Sequence, residues 1–66
     1  MDVRFSRHAS NKLRLYKLAP ADVAEVIVPE KAQSRGDKYE SSSGSLRVIW
    51  VKVGLYALVV TVIRTK

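Results

Sequence analysis

The sequence predicts an α+β fold in which two short helices pack on one face of an antiparallel sheet, in the order β-α-α-β-β-β. Three observations carry that reading. Apolar residues recur at helical spacing through Ala9, Leu13 and Tyr16. Two prolines, Pro20 and Pro29, frame a second helical segment. From Leu46 onward the chain is dominated by β-branched and aromatic residues, interrupted at Gly54. With 66 residues the chain is predicted to form one domain spanning 1–66.

Asp2 to Phe5 alternates polar and apolar residues, as a short strand with Val3 and Phe5 on one face does. Ser6 is placed to cap the helix that follows, because its hydroxyl can accept from a free backbone N–H of the first turn. That helix is expected from Arg7 to about Lys17. His8, Lys12 and Leu15 lie beside its Ala9/Leu13/Tyr16 stripe, while Arg7, Asn11 and Arg14 turn outward. Pro20 suits the first position of the second helix, and Asp22 and Glu25 suit the positive end of its dipole. Val23, Val26 and Ile27 form its buried stripe, and Pro29 ends it.

Glu30 to Asp37 is expected as a polar connection. Lys38 to Ser42 follows as a short strand with Tyr39 pointing inward, and Ser43-Gly44-Ser45 as a turn. Leu46 to Val53 and Leu55 to Arg64 are two long strands joined by a tight hairpin at Gly54. Both are apolar on both faces, as central strands are. Arg47 shares a face with Ile49, Val51 and Val53; Lys52 shares the other with Leu46, Val48 and Trp50. Alternation along the last strand predicts that Tyr56 and Arg64 share a face, and a two-residue turn that Val51 sits opposite Tyr56. Two short helices cover one face of such a sheet, so the other is left for a partner, a second copy or a ligand.

Composition narrows the function classes. There is no cysteine and one histidine, which excludes disulfides and thiolate zinc sites and makes a His-based metal site implausible; no metal-ligating residue is expected. No cofactor is expected. The N-terminal residues lack a signal-peptide apolar core, and Val53 to Ile63 is too short to span a bilayer as a helix, so a cytoplasmic chain with no membrane partner is expected. The net charge is +6, from 12 Lys+Arg against 6 Asp+Glu. The cations concentrate in residues 1–17 and 46–66, around an acidic middle. A one-sided positive field of this kind favours polyanions, with nucleic acid first.

Arginine, tyrosine and lysine on an open sheet have a clear chemical use. RNA is cut when its 2′-OH attacks the adjacent phosphate, which needs a base, cations on the phosphorane and an acid for the leaving oxygen. Arg47 and Arg64 are the expected phosphate holders. His8 or Tyr56 is the expected proton carrier, since histidine titrates near neutrality. Arg7, Lys12, Arg14, Lys52 and Lys66 are expected to add nucleic-acid-binding charge. The plainer assignment is a surface His8, solvated terminal cations, and Trp50 in the core.

The motif Phe5-Ser6-Arg7-His8-Ala9 and the order of elements resemble the RelE/ParE-like superfamily of bacterial toxin folds. Within it the chain is most similar to small domains near BrnT-type toxins, which open with F-[ST]-x-H-A. Asp22 to Val26 followed by Pro29, Leu46 to Ile49, and Leu58 to Ile63 complete the resemblance. Lys12 and Tyr16 stand where that pattern usually has arginines. The resemblance implies a RelE-like α+β domain and a place in a toxin–antitoxin pair. The expected activity is metal-independent endoribonuclease cleavage of messenger RNA. The expected partners are RNA, an antitoxin protein and a second copy of the chain. The alternatives are a non-catalytic protein-interaction or homodimerisation module, and a toxin acting on a protein target.

Overall fold

The computed structural model describes residues 2–65. Strand β1 (Asp2–Phe5) leads into helix α1 (Arg7–Tyr16), helix α2 (Pro20–Val26) and a single 3-10 turn (Pro29–Lys31). Strands β2 (Gln33–Arg35), β3 (Lys38–Ser43), β4 (Leu46–Val53) and β5 (Tyr56–Arg64) follow. They form one sheet in the order β1-β5-β4-β3-β2. β4 and β5 are thus interior strands, as their two-sided apolar character requires. β1 pairs parallel with β5 and the remaining pairs are antiparallel.

The expected α+β architecture is present, with two corrections to its detail. Residues expected as a polar connection contain β2, which pairs with β3 through Gln33↔Glu40, Ser34↔Tyr39 and Arg35↔Lys38. The β1–β5 pair is parallel, because the two helices carry the chain back to the same end of the sheet.

The predicted cap of α1 forms. Ser6 Oγ accepts from the Ala9 N–H at 3.1 Å and donates to the Val60 carbonyl at 3.0 Å, so the hydroxyl is satisfied in both directions. The helix closes with Lys17 in the left-handed region (φ 58°), while the Leu18 N–H reaches back to the Leu13 carbonyl at 2.9 Å. This is the Schellman arrangement, and Leu18 packs against the core beside it. On α2 the Asp22 carboxylate accepts from the Ala19 N–H at 3.4 Å. Val28 is extended before Pro29, as steric conflict with the proline ring demands.

Ala9, Leu13 and Val23 of the helices, with Ile27 just beyond α2, close over Val48, Trp50, Ala57, Val59 and Val62 of the sheet. Trp50 is 2% exposed; its indole N–H donates to Ser41 Oγ at 3.0 Å, and its ring stacks on Tyr39 with centroids 4.7 Å apart. The core assignment of Trp50 therefore holds, and its one polar atom is paired.

The β4–β5 hairpin turns on Gly54-Leu55, with Val53 opposite Tyr56. Gly54 has φ 56° and Leu55 is not in the left-handed region, the signature of a type II′ turn. Val51 therefore faces Leu58, correcting the expected Val51–Tyr56 pair. A bulge interrupts the ladder farther along. Trp50 pairs with Val59 and Ile49 with Thr61, leaving Val60 without an opposite residue. The bulge reverses the alternation of β5, and this sets where the chemistry-bearing residues lie.

Candidate functional site

The helices cover one face of the sheet and leave the other open. The registers place Ile49, Val51 and Val53 of β4 beside Leu58, Thr61 and Ile63 of β5 at the centre of the open face. Val53 and Ile63 are 37% and 39% exposed. Polar residues flank this apolar strip on both sides. On the β1 side, the Arg4 guanidinium lies 4.5 Å from the Tyr56 ring centroid and its Nε is 3.4 Å from the Asp2 carboxylate. On the β3 side, Glu40 stands between two arginines. Arg35 Nε is 2.9 Å from one carboxylate oxygen and Arg47 Nε 2.9 Å from the other.

The Glu40 side chain is only 14% exposed, whereas Arg35 and Arg47 are 65% and 49% exposed. The carboxylate thus forms the floor and the guanidinium groups the rim of a shallow groove. Lys31, Gln33 and Ser42 complete its lining. Each ion pair brings Nε to the carboxylate, and the exposure of both arginine side chains leaves the guanidinium groups within reach of a ligand.

The four residues expected to act together do not converge. Arg47 lies on the open face near the start of β4, as predicted. Tyr56 shares that face at its far end, roughly 20 Å away by strand rise. Arg64 is on the helix-covered face, opposite Leu46, because the Val60 bulge reverses the alternation between residues 56 and 64. This corrects the expected Tyr56/Arg64 face. Arg64 Nη1 donates to the Tyr16 carbonyl at 3.2 Å, which places a cation at the C-terminal end of α1. His8 is exposed in the first turn of α1, on the opposite side of the sheet from Arg47 and Tyr56.

Arg7 and Arg14 are exposed on α1, and Lys12 is half-buried with Nζ 5.7 Å from the Tyr16 ring. α1 contains no acidic residue. Lys52 is exposed on the helix-side parity of β4. Lys66 lies outside the described residues. Within the F-S-x-H-A opening, Phe5 packs on the core, Ser6 caps the helix and Ala9 is fully buried. Packing and capping thus account for three of its four defined positions and leave His8 free. Among the described residues no cluster of three His, Cys, Asp or Glu side chains is placed to hold a metal. No helix among them is long and apolar enough to cross a membrane.

One solved structure shares this arrangement across almost the whole chain. A chain of the RelBE2 toxin–antitoxin complex from Mycobacterium tuberculosis superposes with a TM-score of 0.68, covering 96% of this chain and 95% of that one at 18% identity. The fold is RelE-like. At that identity the likeness is one of fold. No family model matches the sequence, and no curated protein matches it either.

In this RelE-like sheet the groove residues Arg35 and Glu40 escaped the sequence reading. The signal that would have found them is the Arg35-Gly36-Asp37-Lys38 stretch. A two-residue Gly-first hairpin there puts Arg35, Lys38 and Glu40 on one face by alternation.

Proposed function

We propose that the chain is the toxin-like member of a toxin–antitoxin pair and that it holds its antitoxin protein on the open face of the sheet. The observation that carries this reading is the uncovered strip of Ile49, Val51, Val53, Leu58 and Ile63 in a domain whose two helices occupy the other face. Contiguous apolar surface rimmed by polar groups marks an interaction site. Arg4, Arg35, Lys38 and Arg47 outnumber Asp2 and Glu40 on this face, which favours an acidic amphipathic segment. The solved toxin–antitoxin complex of the same fold supports the pairing. The test is induced expression in a bacterium, followed by selection of genomic fragments that relieve growth arrest. The expected rescuer is a small acidic protein that co-purifies with the chain and is released when Val53 and Ile63 are both changed to Glu. Normal growth on expression contradicts the reading.

A second reading rests on the Arg35–Glu40–Arg47 cluster: an RNA-directed ribonuclease of the toxin class. Glu40 is the group there that can take the 2′-OH proton, and the two guanidinium groups are placed to stabilise the phosphorane. Lys31 at the rim is the available acid for the leaving oxygen. The test follows messenger-RNA integrity during induction. New RNA ends that vanish in Glu40→Gln and Arg47→Ala variants support cleavage at this cluster. Arrest with intact RNA points to a protein target instead.

A further inference from the structure

We infer that the groove between β2, β3 and β4 binds a phosphate monoester dianion in preference to a phosphodiester. The groove is the Arg35–Glu40–Arg47 cluster of the ribonuclease reading, but anion binding there needs neither cleavage nor a protein partner. Messenger RNA left intact on expression would therefore remove that reading and leave this inference standing.

Three features carry it. The first is charge. Lys31, Arg35 and Arg47 against Glu40 leave two positive charges in one groove. A phosphate monoester carries a charge between about −1.5 and −2 at neutral pH, with a second pKa of about 6. A diester carries only one negative charge.

The second is donor geometry. Glu40 lies against both arginines, with Nε of each 2.9 Å from a separate carboxylate oxygen. One carboxylate therefore orients two planar forks, so Glu40 is a positioning residue for the anion site. Guanidinium groups held in this way match a group offering several terminal oxygens, and each charge-assisted bond is roughly twice as strong as a neutral one. Ser42 sits directly across the ladder from Arg47, and Gln33 across from Glu40, so a hydroxyl and an amide add uncharged donors.

The third is the character of the lining. No apolar or aromatic side chain belongs to it. The groove is open and shallow, so it recognises a head group and offers no wall to an organic body or a base.

The experiment titrates inorganic phosphate, adenosine 5′-monophosphate and dimethyl phosphate into the isotopically labelled chain at constant ionic strength. Backbone amide shifts report the binding. The expected result is saturable shifts at Gln33, Arg35, Ser42 and Arg47, with both monoanion-plus-dianion ligands binding at least about tenfold more tightly than the diester. Equal affinity for phosphate and the nucleotide identifies the free head group as the source of binding. Tighter nucleotide binding with the same shifted residues identifies an ester. Either supports the inference. Arg35→Gln and Arg47→Gln should each weaken binding by about tenfold, and Glu40→Gln should lower the monoester-over-diester ratio despite the positive charge it adds, because it frees both forks.

Three results overturn it. One is equal affinity for dimethyl phosphate. Another is a shift pattern centred on Arg7 and Arg14 of α1. The third is shifts that rise without saturation in every titration.

Discussion

Arg64 and Tyr16 are 48 residues apart, and a hydrogen bond of 3.2 Å joins the Arg64 guanidinium to the Tyr16 carbonyl oxygen. The bond fixes the end of β5 to the last turn of α1. It also gives Arg64 a structural occupation, since a cation there meets the negative end of the helix dipole. Changing Arg64 to Ala should cost about 0.5–1 kcal/mol, and Arg64→Lys should retain part of that by keeping the charge. Urea unfolding of the three proteins checks it. If expression of the chain arrests growth, loss of that arrest in Arg64→Ala without loss of stability would return Arg64 to a direct functional role.

Ser6 ties the other end of α1 to the sheet. Its hydroxyl serves the Ala9 N–H and the Val60 carbonyl together, and its own N–H donates to the Val59 carbonyl at 3.0 Å. The cap and the bulge therefore depend on one side chain. Ser6→Ala should destabilise by about 1–2 kcal/mol, whereas Ser6→Thr should recover most of the loss. The measurement is the denaturation midpoint at unchanged slope. A neutral Ser6→Ala would show that the bulge holds without its side-chain bond.

What could be read in advance follows from where periodicity is strong. α1 announces itself through Ser6 and the Ala9/Leu13/Tyr16 stripe, and the Gly54 hairpin through its two flanking apolar runs. β2 could not be read this way. Gln33, Ser34 and Arg35 are all exposed, so they carry no inside–outside alternation. The bulge at Val60 is hidden for the opposite reason. Leu58 to Ile63 is apolar almost throughout, so nothing in the pattern marks where the faces exchange. The misplaced Arg64 and the unnoticed Arg35–Glu40 pair are direct consequences. Arg47 was legible because the extra residue of the bulge belongs to β5, so β4 keeps its alternation from Arg47 through Ile49 to Val51. Trp50 was legible from its β-branched surroundings alone.

Lys17 offers a test in the stabilising direction. It holds φ 58° at the end of α1, a conformation that costs an L side chain about 1–2 kcal/mol relative to glycine. Lys17→Gly should therefore raise stability by roughly 0.5–1 kcal/mol, after allowing for the greater entropy of glycine in the unfolded chain. Thermal and urea unfolding should agree on the sign. A destabilised variant would mean that the Lys17 charge at the helix C-terminus outweighs the strain.

The Trp50–Ser41 bond lies wholly inside the core, at 3.0 Å. Ser41→Ala strands the indole N–H without a partner, at a cost of about 1–3 kcal/mol. Trp50→Phe removes the donor and opens space. The double variant should cost less than the two single changes together, because it has no orphaned donor. A thermodynamic cycle from chemical denaturation gives the coupling. Simple additivity would show that Trp50 finds another acceptor when Ser41 is gone.

The open face gives the last test. Val53 and Ile63 stand near opposite ends of its apolar strip, each more than a third exposed. Replacing both with Glu touches no residue of the buried core, so stability should change by no more than about 1 kcal/mol. The new carboxylates also sit on a face where arginines and lysine outnumber acids, which limits self-repulsion. The native chain alone should bind an environment-sensitive apolar dye and self-associate as its concentration rises, because nothing shields the strip. The double variant should do neither while keeping its circular dichroism spectrum. If the native chain stays monomeric and dye-free, the strip is too small to act as an interface, and partner binding must be sought on α1. There Arg7 and Arg14 point outward on a helix with no acid of its own.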